Sequence, residues 1–224
     1  MDVAKYIDVS AVRANCSQAD VQKTWDVAVQ YGCLAVFALP CFTSLLQELR
    51  EKADSHSPKI LLGGTVGFPC GGETSSMKVQ QAKELLALGC DEIDMVINVG
   101  FVKSGLFARA EDDVAAVRQA IGNYPLKVIL ECHYLTDEEI CRASELAVRA
   151  GTNWVKTSTG WTPTGATLEN VALIKKTVGA FAKVKAAGGV KDLATIYQMI
   201  NLGVERFGIG AGTAVAVLEE SAKK

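Results

Sequence analysis

LTDEEICRASELAVRAGTNWVKTS, residues 135–158, holds one complete passage from helix to strand. Thr136 followed by Glu139 is a capping box, in which a hydroxyl and a carboxylate satisfy backbone N–H groups at a helix start. Ile140, Ala143 and Ala147 then share one face, and Gly151 supplies the stop, because glycine tolerates the left-handed backbone that ends a helix. WVKTS follows as a short β-branched strand. The same unit recurs outward in both directions. YIDV, LAVFAL, KILLGGTV, EIDMVIN, LKVILE, WVKTS, AKVKAA and ERFGI alternate with segments of helical length, and Ser17 with Asp20 opens another helix. Eight strand–helix units of about 28 residues in a chain of 224 predict an α/β fold, a single (β/α)8 TIM barrel over residues 1–224, with an open doubly wound sheet as the runner-up.

The spacing supports closure. Gly32, Gly89, Gly151 and Gly203 each precede an even-numbered strand, and the fifth residues after them are Phe37, Asp94, Lys156 and Gly208. A barrel takes each interior layer from alternate strands, so Asp94 and Lys156 are expected in one layer. Odd-numbered strands begin with Lys5, Lys59, Lys127 and Lys183, read as charged ends at the amino-terminal rim that serve stability. Two residues further on stand Ile7, Leu61, Ile129 and Lys185: three aliphatic side chains and one ammonium.

Hydrophobic residues at 49% and charged residues at 21% are ordinary globular proportions, which excludes disordered and low-complexity architectures. Twenty-three basic against 25 acidic residues leave no positive excess for a nucleic acid partner. Seven cysteines without a CxxC pair suit a reducing, cytoplasmic setting. The polar, acid-bearing start MDVAKYIDVS does not read as a signal peptide, and the absence of a run of about 18 apolar residues argues against a membrane span.

Lys156 and Lys185 carry the chemistry. An interior lysine loses hydration, and two close together repel, so packing alone does not explain the pair. With a reference pKa of about 10.4, a lysine nucleophile must be depressed by roughly three units, about 4 kcal/mol, to be neutral at pH 7. Low dielectric and a second cation both push that way. A neutral amine forms a Schiff base with a carbonyl, and Asp94 can move the protons this requires. Two lysines and an aspartate suit a metal-free aldolase, although the residues alone leave open which lysine attacks. His56 and His133 are too few for a three-histidine metal site, and His133 should face away from Cys132 on a strand.

Other motifs are weaker. GIGAGT (208–213) lies too near the chain end for a dinucleotide fold. Gly208 and Gly210, with Gly188 and Gly189, instead lie on the two loops where barrels commonly hold phosphate. Ser158 lacks a GxSxG elbow, and Trp25, Trp154 and Trp161 read as packing residues. Two further classes fit the same residues: a phosphosugar isomerase using Asp94 without an imine, and a non-catalytic phosphometabolite-binding barrel.

TVGFPCG (65–71), DEIDMVINVG (91–100), VKTSTG (155–160) and VKAAGGV (184–190), within a likeness spanning nearly the whole chain, resemble deoxyribose-phosphate aldolases. The resemblance implies a (β/α)8 barrel lyase of deoxyribonucleotide catabolism that joins acetaldehyde to D-glyceraldehyde 3-phosphate without metal or organic cofactor. It implies Lys156 as the Schiff-base lysine, Lys185 as the lysine that lowers its pKa and Asp94 as the proton relay. It also implies Asp8 and Ser10 near the substrate hydroxyls, and Gly160, Gly188, Gly189, Lys191, Gly208 and Gly210 around phosphate. The sequence departs from the family pattern in several places. The last loop reads Gly208, Ile209, Gly210, Ala211 where a GAS-like serine is usual, leaving Thr213 as a substitute hydroxyl. IDVS replaces IDHT, Phe37 stands where some relatives carry cysteine, and the SAKK tail lacks the terminal tyrosine some members use. Chemistry is expected to be intact and substrate choice open, including a non-phosphorylated or different sugar; a homodimer is expected.

Overall fold

The computed structural model describes residues 2–54 and 56–223. The last residue of the SAKK tail lies outside them. Eight parallel strands close into a barrel in sequence order: β1 (Ile7–Ala11), β2 (Ala35–Ala38), β3 (Leu61–Val66), β4 (Glu92–Val96), β5 (Leu126–Ile129), β6 (Trp154–Lys156), β7 (Lys183–Ala187) and β8 (Val204–Gly210). The connecting helices are α1 (Gln18–Tyr31), α2 (Thr43–Lys52), α3 (Ser75–Ala87), α4 (Val99–Lys103), α5 (Phe107–Ile121), α6 (Asp137–Arg149), α7 (Leu168–Val178), α8 (Leu193–Asn201) and α9 (Ala211–Ser221). All eight expected strands are present. The short α4 is an addition, started by the Asn98 side chain accepting from the Phe101 N–H at 3.0 Å.

Local chemistry sets the boundaries. Ser17 with Asp20 and Thr136 with Glu139 form complete capping boxes at the starts of α1 and α6. Gly151, at φ 89°, ends the turn after α6 and directs the chain into β6. Outward-facing strand residues such as Val36, Ile93, Val128, Val155 and Phe207 form the apolar layer under the helices.

The register defines the barrel interior. Phe37, Asp94, Lys156 and Gly208 share one layer, as the glycine spacing predicts. The layer beneath corrects the reading of the odd strands. Asp8 pairs with Ala35 and Gly208, Gly63 with Phe37 and Glu92, Lys127 with Asp94 and Trp154, and Lys185 with Lys156 and Arg206. That layer is therefore Asp8, Gly63, Lys127 and Lys185, not Ile7, Leu61, Ile129 and Lys185. Ile7 packs in the outer apolar core. Lys127 is not a rim residue: it is fully buried, whereas Lys5, Lys59 and Lys183 are exposed. The leading lysines do not stand at equal depth, since Lys5 and Lys59 precede their strands and Lys127 lies inside β5.

Candidate active site

Seven charged side chains meet inside the barrel. Asp94 Oδ2 accepts from Lys156 Nζ and from Lys185 Nζ, each at 2.8 Å. Its other oxygen lies 3.0 Å from Lys127 Nζ, which is 2.8 Å from Glu92 Oε1. Arg206 grips Glu92 through Nη1 and Nη2 at 2.7 and 2.8 Å, and also donates to Asp8 Oδ1. Lys185 Nζ stands 2.7 Å from Asp8 Oδ2.

These contacts set the proton affinities. Burial pushes Lys156 down to about 8, with Asp94 opposing and Lys185 reinforcing the shift. Burial also works against the charge on Lys185, but Asp8 and Asp94 outweigh it and hold its pKa above the ordinary lysine value. For Asp94, burial is outweighed by Lys127, Lys156 and Lys185, so it stays ionised well below the usual carboxylate range. Asp8 is likewise lowered against its burial by Lys185 and Arg206. One amine thus titrates near physiological pH, beside one that stays charged.

The Phe37 ring completes this chamber. Lys185, Lys127 and Lys156 Nζ lie 4.1, 5.1 and 5.8 Å from its centroid. The ring occupies the space a side chain at position 63 would need: a Cβ on Gly63 would overlap it. A small cavity of about 20 Å³ at the carboxyl end of the strands is lined by Asp8, Ser10, Thr65, Phe68, Lys156 and Lys185, among others.

A larger cavity of about 300 Å³ opens beside it, sharing Ser10, Val12, Thr159 and Gly208. Gly160, Gly188, Gly189, Lys191, Gly210 and Thr213 line it, together with Arg13, Cys16 and Trp161. Gly188 and Gly189, at φ 77° and 80°, present bare backbone, and a side chain on Gly188 would crowd Gly165 Cα at 3.2 Å. Trp161 does more than pack, since it forms part of the cavity wall while its Nε1 donates to Val12 O at 2.7 Å. Its loop is held by Glu131, a buried residue at φ 57° whose carboxylate accepts from the Thr159 hydroxyl and from the Thr162 hydroxyl at 3.2 Å.

The structure brings Lys156, Lys185 and Asp94 into direct contact and puts the glycines and Lys191 around one adjoining space. Asp8 and Ser10 line the inner cavity, but Asp8 is engaged by Arg206 and Lys185, and the Ser10 hydroxyl donates to Ile209 O at 3.2 Å. Sequence reasoning missed Lys127, Glu92, Arg206, Arg13, Thr65 and Glu131. Glu92 and Arg206 were legible, since each stands two residues before a member of the Asp94 layer on the same inward face. His133 and Cys132 lie in a short 3-10 turn rather than on a strand, because β5 ends at Ile129; Cys132 is buried and His133 exposed. Among the described residues no three metal-ligating side chains cluster, and no helix is long and apolar enough to cross a membrane.

A closed parallel barrel whose strand ends hold a depressed lysine against a carboxylate and a second lysine has the parts an enzyme needs to form an imine on an amine. The model of the DeoC/LacD family aldolases matches residues 4–215. Deoxyribose-phosphate aldolase of Klebsiella pneumoniae is 44% identical over 97% of this chain and 86% of its own, and that of Sinorhizobium medicae 46% over 99% and 88%. Among solved structures, an aldolase called QR15 superposes with a TM-score of 0.90 at 34% identity, covering 100% of this chain and 97% of its own. The tetrameric deoxyribose phosphate aldolase of Aeropyrum pernix does so at 0.87 and 25%, covering 98% and 91%. The chain belongs to the DeoC/LacD aldolase family and is a carbon–carbon lyase.

Proposed function

We propose that this aldolase reversibly cleaves 2-deoxy-D-ribose 5-phosphate to acetaldehyde and D-glyceraldehyde 3-phosphate through an imine on Lys156. The observation that carries the reading is the Lys156 Nζ at about 8, lining the inner cavity 2.8 Å from an oxygen that also holds Lys185. In the synthetic direction the neutral amine attacks the acetaldehyde carbonyl and water leaves. The protonated imine nitrogen withdraws electrons, the neighbouring carbon loses a proton to the Asp94 relay, the enamine carbon bonds to the acceptor's carbonyl carbon, whose oxygen takes a proton, and water then releases the amine. Lys185, held protonated, keeps a positive charge beside Lys156, and Asp94, whose oxygen touches both, relays the protons.

The outer cavity suits the phosphate end of the acceptor. Backbone N–H groups of the glycine loops, the start of α9, Lys191 and Arg13 all favour an anion there. Residues 208–211, the end of β8 and the first residue of α9 rather than a loop, carry no hydroxyl, so phosphate recognition depends on backbone, the two cations and Thr213, and a non-phosphorylated acceptor is the second reading. The whole of residues 1–224 acts as one barrel domain, with no metal or organic cofactor in the chemistry. Its setting is the cytoplasm, consistent with seven free thiols, and exposed Phe181 and Met77 suit a homodimer.

Mass spectrometry after acetaldehyde and borohydride treatment tests the proposal. A two-carbon adduct on Lys156 is expected. An adduct on Lys185 instead reverses the two roles, and none on either lysine removes the imine mechanism altogether.

A further inference from the structure

Thr65 stands apart from the other polar side chains of the inner cavity. Asp8 is held by Arg206 and Lys185, Ser10 by Ile209 O, Thr159 by Glu131, and Lys156 and Lys185 by Asp94. Thr65 lines the same space at 1% exposure, and its hydroxyl has no hydrogen-bond partner among the described residues. It occupies the register position beside Asp94, the residue that holds Lys156, on the neighbouring strand. A buried hydroxyl without a partner is unfavourable for the folded chain and would be satisfied by a ligand oxygen placed in the cavity. The remaining walls near it, Phe37 and Phe68, offer no hydrogen-bonding group.

We propose that Thr65 is a donor-side specificity residue, whose hydroxyl hydrogen-bonds an oxygen on the α-carbon of the aldehyde bound to Lys156, so that the enzyme accepts a hydroxylated two-carbon donor as well as acetaldehyde. The inference rests on Lys156 being the imine-forming lysine. The imine carbon is attached to Nζ, which places the α-carbon and its substituent in the cavity Thr65 lines. The steps balance without an oxidant. Glycolaldehyde and the amine form an imine and release water, and the α-carbon gives up a proton to form the enamine. That carbon then bonds to the acceptor's carbonyl carbon, whose oxygen takes a proton, and water returns the amine. The donor hydroxyl is retained, so the product carries one hydroxyl more than a 2-deoxy sugar.

The test measures kcat/KM for glycolaldehyde and for acetaldehyde, each with D-glyceraldehyde 3-phosphate as acceptor, in the native chain and in Thr65→Val and Thr65→Ser. Valine keeps the shape and removes the hydroxyl. The glycolaldehyde-to-acetaldehyde ratio is expected to fall about tenfold in Thr65→Val, as for one lost hydrogen bond, and to be retained in Thr65→Ser. An unchanged ratio in Thr65→Val, or no product from glycolaldehyde in the native chain, overturns the proposal. Borohydride trapping with acetaldehyde on the same preparations separates the two levels of failure. An adduct on Lys156 with an unchanged ratio removes only the role of Thr65, whereas no adduct there removes the assignment of the lysine itself.

Discussion

Replacing Lys185 with leucine should raise the proton affinity of Lys156. The two ammonium nitrogens each lie 2.8 Å from Asp94 Oδ2, so they cannot stand further apart than twice that distance. Two unit charges about 5 Å apart at an effective dielectric of about 20 repel by about 3 kcal/mol. That equals about two pKa units. Lys156, at about 8 in the native chain, should therefore titrate near 10 in Lys185→Leu. At pH 7 its neutral fraction then falls from about one in ten to about one in a thousand, so kcat/KM drops about a hundredfold. Initial rates of deoxyribose 5-phosphate cleavage, measured between about pH 6 and 10.5, should show the acid limb displaced upward by about two units. Arg206 still holds Asp8 and Lys127 still flanks Asp94, so the fold has partners for both carboxylates. A uniform loss of rate with the acid limb unmoved would refute the electrostatic role of Lys185.

Lys156→Leu should be more stable than the native chain at pH 7. Burial disfavours the ammonium, moving its pKa from 10.5 to about 8, so the folded state carries a penalty of at most about 3 kcal/mol below pH 8. The gain should vanish as the pH rises from 8 to 10.5, where folded and unfolded chains alike hold the neutral amine; urea unfolding at pH 7 and at the top of that window measures it. Gly63→Ala should cost about 1–3 kcal/mol by driving a methyl into the Phe37 ring, and the loss should shrink in a Phe37→Leu background if that ring is the obstacle. Lys191→Ala should raise KM about tenfold for phosphorylated acceptors and hardly at all for glyceraldehyde. Equal effects on both would take Lys191 out of phosphate recognition.

The fold was legible because helix punctuation is local. A capping box at Thr136, a glycine at 151 and a β-branched run at 154 act within a few residues of one another, and the glycine spacing carried the even strands into their shared layer. The odd strands were not legible from their lysines. Depth in a barrel is set by hydrogen-bond register between strands that are distant in sequence, and nothing local distinguishes Lys127 inside β5 from Lys59 ahead of β3. Thr65 was silent for a related reason. A threonine in a strand is an ordinary β-former, and the absence of a partner is a property of the assembled interior. Glu131 carried no signal either, because its left-handed backbone and its hold on Thr159 arise from the way two loops meet.

The ion pairs also indicate why Lys156, rather than Lys185 or Lys127, should be the lysine that reacts. Asp8, Arg206, Glu92, Lys127, Asp94 and Lys185 form a closed ring in which charges alternate, so every cation touches two carboxylates. Such a ring is neutral with all its members ionised. Lys156 hangs outside it, with Asp94 as its one carboxylate among the described residues. A net charge in a low-dielectric interior is unfavourable, and the system relieves it most easily by releasing a proton where that breaks no alternation. Deprotonating Lys185 or Lys127 would leave two carboxylates of the ring short of a cation; deprotonating Lys156 brings the whole cluster to neutrality and leaves Asp94 flanked by two ammonium groups. The chemistry of the nucleophile is thus a property of the count of charges as much as of any one neighbour. It follows that a substitution removing one ring cation lets Lys156 keep its proton even when the residue changed does not touch it.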